Sequence, residues 1–314
     1  MQRVIALGFF DGVHIGHAAL LRKTTQCAAA LGVVAAALTF DVPPSRVIGG
    51  TLLPLLTTPE QRAALMHENF GIEDCIVLPF DEALMNMPHE VFVAQVLQEK
   101  YSAVGVVAGR DYRYGRSGKG NVETLAQQCA ELGMTCDIVE QVRVDGEIIS
   151  ATAIRALLAK GDVARANEFF GRPYTLCLPV QRGRGLGRQL GFPTANMILP
   201  EDWQQPALGV YRSQVELDGK VFASVTNIGR RPTVESDSPP STLAATQFQK
   251  GAGDIVVETH LIGFNGDLYE QTLCVALLSF MRPERKFESL DALKTQMAMD
   301  RSYVEGRANA RGCR

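Results

Sequence analysis

The sequence contains no apolar run long enough to cross a membrane. The longest stretch without a charged residue, 24–40, is interrupted by Gln26 and Gly32, whereas a transmembrane helix needs about 20 consecutive, mostly apolar residues. The first residues, MQRVIALG, lead into an apolar run without a small-residue cleavage site. We therefore expect neither a membrane span nor a secretory signal, and we expect the protein to be cytoplasmic.

Paired cysteines and a surplus of positive charge are also missing. The seven cysteines are scattered along the chain, and no two of them form a CxxC pair. This spacing supports neither a zinc ribbon nor a disulfide framework, so we expect reduced thiols. The 31 Lys and Arg residues are balanced by 34 Asp and Glu residues, a net charge of −3. Proteins that bind the nucleic-acid backbone normally carry a clear basic surplus, so we expect no nucleic-acid partner.

The chain is long enough for two hydrophobic cores, because 314 residues at roughly 150 residues per domain predict two domains. Up to residue 171, short β-rich runs alternate with amphipathic helical stretches. The predicted strands are 4–9, 33–40, 74–78, 103–107 and 135–140, and the predicted helices are 18–31, 59–70, 88–101 and 122–132. This alternation predicts βαβ units and a doubly wound parallel sheet.

The pattern changes after Gly171. Asp218-Gly219 and Asn265-Gly266 each separate two β-rich runs, a signal typical of β-hairpins. Residues 172–314 are therefore predicted to form an antiparallel β-barrel. A closing helix is predicted over 289–299, with Leu290, Leu293 and Met297 on one face. Residues 235–253 lack apolar periodicity and are predicted to form a mobile loop.

Two histidines stand three residues apart where the first predicted strand passes into the first helix. The string GFFDGVHIGH, residues 8–17, contains His14 and His17 with Gly16 between them. In an open parallel sheet this loop lies at the carboxyl edge, where ligands bind and helix N–H dipoles favour anions. The pair suits the stabilisation of a phosphate group under attack. A metal-binding pair and simple helix capping are the alternatives.

A second polar cluster precedes another predicted helix. Ser150 and Thr152 are followed one turn later by Arg155. Hydroxyls and an arginine at a helix start can cap the helix and bind phosphate oxygens together. The alternative is an ordinary N-cap beside a solvated arginine.

A glycine-rich string, GRGLGRQLG at 183–191, leads into FPTAN at 192–196. Its spacing does not fit the dinucleotide-binding fingerprint, but its glycines would let backbone N–H groups approach phosphate oxygens. Thr194 and Asn196 are two residues apart, so in an extended chain they point the same way and could offer oxygens to Mg²⁺ carried by ATP. An ordinary glycine-rich turn is the alternative.

These strings resemble, in chain order, the family of bacterial bifunctional riboflavin kinase/FAD synthetases. GFFDGVHIGH is similar to that family's GNFDGVHxGH, GRDYRYG at 109–115 to its GxDFxFG, and ISATAIR at 149–155 to its ISSTxIR. The string at 183–196 resembles its riboflavin kinase motif, and 209–211, 227–233, 257–261 and 267–269 match the blocks that follow. The resemblance covers nearly the whole chain.

The resemblance implies an enzyme, a transferase with two activities. Residues 1–171 would form a nucleotidyltransferase-like FMN adenylyltransferase domain, and residues 172–314 a riboflavin kinase domain. The substrates would be riboflavin, FMN and ATP, and Mg²⁺ would accompany ATP. No membrane partner is implied, and we expect a monomer or a weak homo-oligomer.

The resemblance also implies roles for individual residues. His14 and His17 would stabilise the attacked α-phosphate, Glu258 would accept the proton of the riboflavin 5′-hydroxyl, and His260 would be a structural neighbour. Thr194 and Asn196 would contact Mg²⁺. The residues implied to bind nucleotide or phosphate are Gly8, Asp11, Gly12, Gly16, Asp111, Arg113, Ser150, Thr152 and Arg155 in the first domain, and Gly183, Gly187, Arg188, Gly191, Pro193, Thr194 and Asn196 in the second.

Three departures from the family pattern lie in the first domain. Phe9 replaces an asparagine, Ala151 replaces a serine, and FDVPP at 40–44 stands where the family has FDPHP. Each removes a polar group near the expected nucleotide site, so the alternative is a flavin enzyme whose adenylyltransferase activity is weak or lost.

Two further alternatives belong to other classes. A class I synthetase-like nucleotidyltransferase shares the HIGH string, but a KMSKS-type segment is not evident. A flavin-binding regulatory protein would not need Thr194, Asn196 and Glu258 together.

Overall fold

A computed structural model describes residues 1–49, 53–183, 186–230 and 255–309. The predicted loop at 235–253 and the motif residues 231–233 lie outside these ranges. The chain divides into two compact units that are interleaved in sequence. The first comprises Met1–Arg155, Phe169–Gly171 and Asp202–Gln204, and the second comprises Ala156–Glu168, Arg172–Glu201 and Gln205–Arg314.

Backbone contacts explain the interleaving. Within the first unit, the Leu55 N–H donates to the Asp202 carbonyl and the Gln204 N–H donates to the Leu55 carbonyl, both at 2.7 Å. Within the second unit, the Ala207 N–H donates to the Leu158 carbonyl at 2.9 Å. Short segments therefore belong to the unit with which they pair, not to the one beside them in sequence.

The first unit is built on a parallel sheet, as the alternating pattern predicts. Its strands lie in the order β3-β2-β1-β4-β5. They are β1 (Arg3–Leu7), β2 (Val34–Phe40), β3 (Asp74–Leu78), β4 (Ala103–Gly109) and β5 (Thr135–Val139). Ile5 and Leu7 pack into one core and Val4 and Ala6 into another, because successive side chains of a strand point to opposite faces of the sheet.

Helices cover this sheet and connect its strands. They are α1 (Ile15–Leu31), α2 (Pro44–Gly49), α3 (Pro59–Phe70), α4 (Glu82–Met85), α5 (His89–Val91) and α6 (Val122–Glu131). The predicted helix 88–101 begins as α5 and continues as a π-helix over Phe92–Lys100, and a 3₁₀ turn at Arg116–Gly118 lies between β4 and α6. A two-stranded ribbon, β6 (Arg143–Val144) and β7 (Glu147–Ile148), precedes α7 (Ala151–Lys160) and α8 (Val163–Phe170).

The strand order reverses at β1, which lies between β2 and β4. In open α/β sheets, ligands bind at the carboxyl ends of the strands on either side of such a reversal. The loop after β1 carries the histidine motif, and the loop after β4 carries Asp111 and Arg113. The fold therefore brings these two sequence motifs to the same edge of the sheet.

The second unit is the predicted antiparallel barrel with its closing helix. Its six-stranded sheet has the order β8-β13-β10-β11-β12-β9. The strands are β8 (Tyr174–Pro179), β9 (Ala195–Ile198), β10 (Gly209–Leu217), β11 (Lys220–Arg230), β12 (Ile255–Leu261) and β13 (Thr272–Arg282). The barrel is nearly closed where Gln181 pairs with Asn196. This unit also contains α9 (Leu186–Leu190), α10 (Leu290–Asn309) and, through residues 156–168, parts of α7 and α8.

Two details of the barrel differ from the sequence prediction. Asp218-Gly219 does turn the β10–β11 hairpin, but the hairpin predicted at Asn265-Gly266 is wrong, because β12 pairs with β11 and β9, and β13 pairs with β10 and β8. The closing helix reaches Asn309, and Leu290 is 59% exposed, whereas Leu293 and Met297 line a cavity. A turn signal such as Asn265-Gly266 predicts a local change of chain direction, but it does not determine which strands pair on either side of it.

The prediction that all cysteines are reduced is also wrong. Cys177 on β8 and Cys274 on β13 form a disulfide. The two strands pair in antiparallel register with these residues directly opposite one another. Cys177 and Cys274 are 97 residues apart in sequence. Cysteine spacing therefore cannot predict this disulfide, because only the strand pairing brings the two residues together.

No helix within the described ranges is both long enough and apolar enough to cross a membrane.

Candidate active sites

The first site surrounds the two histidines of the loop after β1. His14 is the N-cap of α1, and its Nδ1 accepts the His17 N–H at 3.3 Å. The two imidazole rings are stacked with their centroids 3.6 Å apart, and the edge of Phe10 packs against His17 at 5.2 Å. Since Nδ1 of His14 accepts a hydrogen bond, the neutral ring carries its proton on Nε2. The arrangement combines helix capping with an imidazole pair.

His17 is held as a neutral imidazole. Burial, the neighbouring His14 and the positive charge of Arg62 lower its pKa well below the usual value. Within the described residues, its Nδ1 is buried and has no hydrogen-bond partner. A ring nitrogen without a partner at the start of a helix is available to a ligand, and the helix N-terminus beside it favours an anion.

The backbone of this loop is strained. Phe10, Gly12 and Val13 have φ angles of 55°, 79° and 41°, a region that costs free energy for residues other than glycine. Such a loop persists only when contacts on several sides determine its shape.

Asp11 supplies one set of these contacts. Its buried carboxylate accepts the N–H groups of Leu56 and Thr57, both at 3.0 Å, and the Arg155 guanidinium at 2.5 Å. Arg155 also donates to the Pro54 carbonyl at 2.7 Å. The structure therefore places Asp11 and Arg155 in an internal network that fixes the loop.

The other polar residues predicted for this site either cap a helix or are exposed. The Ser150 hydroxyl accepts the Ala153 N–H at 3.2 Å and so caps α7, while Thr152, Asp111 and Arg113 are exposed. Two of the three predicted glycines lie in the loop: the Gly8 N–H donates to the Leu38 carbonyl at 3.2 Å, and the Gly12 N–H donates to the Thr57 hydroxyl at 2.8 Å. Gly16 lies in the first turn of α1 and packs against the His14 ring.

The second site lies on the barrel strands. Glu258 on β12 stands directly opposite Asn196 on β9 and Asn227 on β11. Residues in register on neighbouring strands point to the same face. The carboxylate is thus flanked by two amides at one level of the sheet, and all three side chains line one cavity.

The glycine-rich segment lies directly against Thr194 and Asn196. A Cβ atom on Gly183 would come within 2.7 Å of the Asn196 amide, and one on Gly187 would lie 2.4 Å from the Phe192 carbonyl and 3.2 Å from the Thr194 hydroxyl. Only glycine permits this approach of the backbone. Gly191 has a φ of 88° and ends the segment.

Thr194 and Asn196 come together as their spacing predicts. The Asn196 amide nitrogen lies 3.5 Å from the Thr194 hydroxyl and donates to the Thr194 carbonyl at 3.2 Å. A hydroxyl and an amide oxygen are oxygen ligands of the kind that Mg²⁺ prefers, and Mg²⁺ usually keeps further ligands from phosphates and water. The pair therefore fits a divalent cation that arrives with ATP.

Two cavities meet at Thr194. The larger, about 500 Å³, contains Glu258 and has an apolar wall made of Phe192, Val225, Val256, Phe287, Leu293 and Met297, among others. The smaller, about 370 Å³, is lined by Arg188, Pro193, Asp267 and Tyr269, among others. Thr194 lines both cavities. Ligands in the two cavities would therefore both lie beside this residue.

Glu284 is a site residue that the sequence did not suggest. It lies in the larger cavity and accepts the Asn227 amide at 3.3 Å. Burial and the negative charge of Glu284 raise the pKa of Glu258. A carboxylate whose pKa is raised toward neutrality accepts a proton more effectively. No local motif marks Glu284, because it reaches the site from the end of a different strand.

His260 supports the segment that carries Thr194. Its Nδ1 lies 2.8 Å from the Pro193 carbonyl, and its ring packs against the Phe192 ring. Burial lowers its pKa, so Nδ1 of the neutral ring donates to this carbonyl. His260 contacts the loop, as a structural neighbour does.

Comparisons with known proteins agree with this two-site architecture. A family model described as FAD synthetase matches residues 1–153, and one described as riboflavin kinase matches residues 170–306. The crystal structure titled as that of a macrolide-efflux protein from Streptococcus pneumoniae is 27% identical, with a TM-score of 0.83 over 97% of this chain and 94% of that chain.

Curated relatives extend over nearly the full length. The bifunctional riboflavin kinase/FMN adenylyltransferase of Bacillus subtilis is 33% identical over 302 residues, 96% of this chain and 90% of the relative. The enzymes of that name from Listeria monocytogenes and Pseudomonas fluorescens are each 32% identical, over 96% and 95% of this chain respectively and 90% of each relative. The chain therefore belongs to the family of bifunctional riboflavin kinase/FMN adenylyltransferases, transferases with an FAD synthetase domain followed by a riboflavin kinase domain.

Proposed function

We propose that the barrel phosphorylates riboflavin in the larger cavity, with Glu258 as the general base. The observation that carries this assignment is the position of Thr194, which lines both cavities while Glu258 lies only in the larger, apolar one. A flavin ring fits the apolar wall of the larger cavity, and a nucleotide fits the smaller cavity, which Arg188 lines. Gly183 and Gly187 line the larger cavity, as Thr194 and Asn196 do.

In this reaction the Glu258 carboxylate accepts the proton of the riboflavin 5′-hydroxyl as its oxygen attacks the γ-phosphorus of ATP. Phosphoryl transfer depends mainly on alignment and charge neutralisation. Thr194 and Asn196 would hold Mg²⁺ bound to ATP, and the ion neutralises phosphate charge. Gly183 and Gly187 bring backbone N–H groups close to the transferred group. The products are FMN and ADP.

The first site adenylylates FMN. The phosphate of FMN attacks the α-phosphorus of ATP, and pyrophosphate leaves. The imidazoles of His14 and His17 donate hydrogen bonds to the phosphate oxygens at the start of α1, where the helix dipole also favours negative charge. Asp11 and Arg155 keep the loop in shape. Ser150, Thr152, Asp111 and Arg113 would contact phosphate and nucleotide groups.

We propose that residues 1–171 carry adenylyl transfer and residues 172–314 carry phosphorylation, apart from two short segments: residues 156–168 belong to the second unit and residues 202–204 to the first. We assign a cytoplasmic location, where riboflavin and ATP are both present, and a monomeric or weakly associating state.

Incubation of the purified chain with riboflavin and MgATP, followed by chromatography of the flavins, tests the whole proposal. We expect FMN to appear first and FAD after it. Supplying FMN directly should yield FAD, whereas a chain that makes FMN but no FAD from FMN would be a monofunctional kinase.

The pH dependence of the kinase tests the link between Glu258 and Glu284. Glu258 accepts a proton only when it is deprotonated, so the rate falls as the pH drops through its raised pKa. Glu284→Gln removes a negative charge and lowers that pKa, so the acid limb of the FMN-formation profile should move to lower pH. An acid limb that stays in place would show that Glu284 does not influence the base.

His17→Ala should lower the turnover of FAD formation from FMN by about 100- to 1,000-fold, the usual effect of removing one donor that stabilises a transition state. Initial rates with FMN and MgATP measure it. His67→Ala is the matched control, since His67 lies on α3 and contacts the Ile72 carbonyl. Equal rates in the His17→Ala variant and the parent would refute the assignment.

A further inference from the structure

Arg62 is a fully buried arginine beneath the histidine loop. It lies on α3 with an exposed fraction of 0%, and it forms no ion pair with any residue in the described part of the chain. A buried charge without a carboxylate partner is expensive and is retained only where other groups satisfy it. The groups that satisfy Arg62 therefore indicate what it does.

Those groups are the Thr58 carbonyl at the start of α3, at 3.4 Å, and two carbonyls and a hydroxyl at the carboxyl edge of the sheet. The Arg62 guanidinium donates to the Phe9 carbonyl at 2.6 Å, to the Thr39 hydroxyl at 2.9 Å and to the Phe40 carbonyl at 3.1 Å. The Thr39 hydroxyl itself donates to the Phe9 carbonyl at 2.7 Å. One cation thus joins the chain leaving β1 to the end of β2.

The ring of Phe9 adds a further contact. It covers the guanidinium with its centroid 4.4 Å from the Arg62 carbon, within the range of a cation–π interaction. Phe9 is therefore bound to Arg62 through both its carbonyl and its ring. Phe10, the next residue, begins the strained part of the loop and packs against His17.

We propose that Arg62 is a positioning residue for adenylyl transfer, which holds the strained loop, and through it His14 and His17, in the geometry that receives phosphate. This inference rests on the proposed role of the two histidines. Asp11 anchors the loop from one side and Arg62 from the other. The planar guanidinium directs several N–H groups at fixed angles, whereas a lysine ammonium is a single point charge.

The test uses Arg62→Lys and Arg62→Met in the full chain, with three readouts. Turnover of FAD formation from FMN should fall about 10- to 100-fold in both variants, because misplacement by about 1 Å costs this much, while the KM for ATP changes less than the turnover. FMN formation from riboflavin should stay within about twofold, since that site lies in the other unit. Emission of Trp203, the single tryptophan and part of the first unit, reports whether that unit is folded.

Arg22→Met is the matched control, because Arg22 lies over the Phe70 ring at 5.6 Å, away from the loop, and it should leave both activities unchanged. A folded Arg62→Met variant with parental turnover would overturn the inference, and so would full activity in Arg62→Lys, which would reduce the role to charge alone.

If Arg62→Met does not fold, Phe9→Leu decides, with Phe70→Leu as its control. Phe9→Leu removes only the ring and should lower adenylyl turnover by about threefold to tenfold, whereas parental turnover would overturn the inference. If the turnover of FAD formation falls in His17→Ala but not in the Arg62 variants, only the role of Arg62 is rejected. Parental turnover in His17→Ala rejects the proposed site.

Discussion

Glu258→Gln should reduce FMN formation from riboflavin by about 100- to 10,000-fold, the contribution of a well-placed general base, and should leave FAD formation from added FMN unchanged. Glutamine keeps the size of the side chain but cannot accept the hydroxyl proton. Because Glu258 lies between Asn196 and Asn227 on paired strands, the amide can be accommodated without disturbing the barrel.

Rates of FMN and FAD formation, measured separately with riboflavin and with FMN, check this prediction. Glu216→Gln is the matched control, since Glu216 is an exposed carboxylate on β10 and should retain both activities. Retention of full kinase turnover in Glu258→Gln would show that the hydroxyl is deprotonated by another group. The adenylyl reaction in the same sample reports that the first unit remains folded, and the thermal unfolding midpoint of the variant reports whether the barrel does.

Asp11→Ala should destabilise the first unit by about 3–5 kcal/mol, the usual effect of removing one partner of a buried ion pair. The Asp11 and Arg155 side chains are only 1% and 12% exposed. The substitution leaves the guanidinium and the N–H groups of Leu56 and Thr57 without their acceptor. FAD formation should be lost with the loop.

Urea unfolding followed by Trp203 emission measures this change in the free energy of unfolding. Asp74→Ala is the control, because the Arg3–Asp74 pair in the same unit is 2.7 Å long but 23% and 36% exposed. Pairs of this kind contribute up to about 1 kcal/mol. Equal urea unfolding midpoints for Asp11→Ala and Asp74→Ala would mean that the buried network stabilises the first unit no more than a surface ion pair does.

The sequence predicted the elements whose signals are local. The boundaries of β3 and α3 agree with the structure at both ends, because Thr58 and Pro59 mark the start of α3 and Gly71 its end. The histidine loop and the glycine-rich segment are visible as contiguous strings of letters, whereas Glu258 is indicated only by the resemblance of its strand to the family.

What the sequence could not reveal depends on contacts between distant segments. Arg62 lies in an ordinary amphipathic helix, and only the packing of α3 against the ends of β1 and β2 gives it a role. Glu284 reaches Asn227 across the barrel, and Cys177 meets Cys274 only through strand register. Asp11 and Arg155 resemble ligand-binding residues in sequence, yet they contact one another.

The backbone pairing of Leu55 with residues 202–204 affects the order in which the chain folds during synthesis. During synthesis, domains generally fold as they emerge, the N-terminal one first. Leu55 directly precedes the residues that bind Asp11, and it pairs with residues 202–204, which follow β8 and β9 in the sequence. The adenylyl site therefore reaches its final form only after the ribosome has passed residue 204, and a nascent chain released at residue 171 would leave Leu55 without its backbone partners.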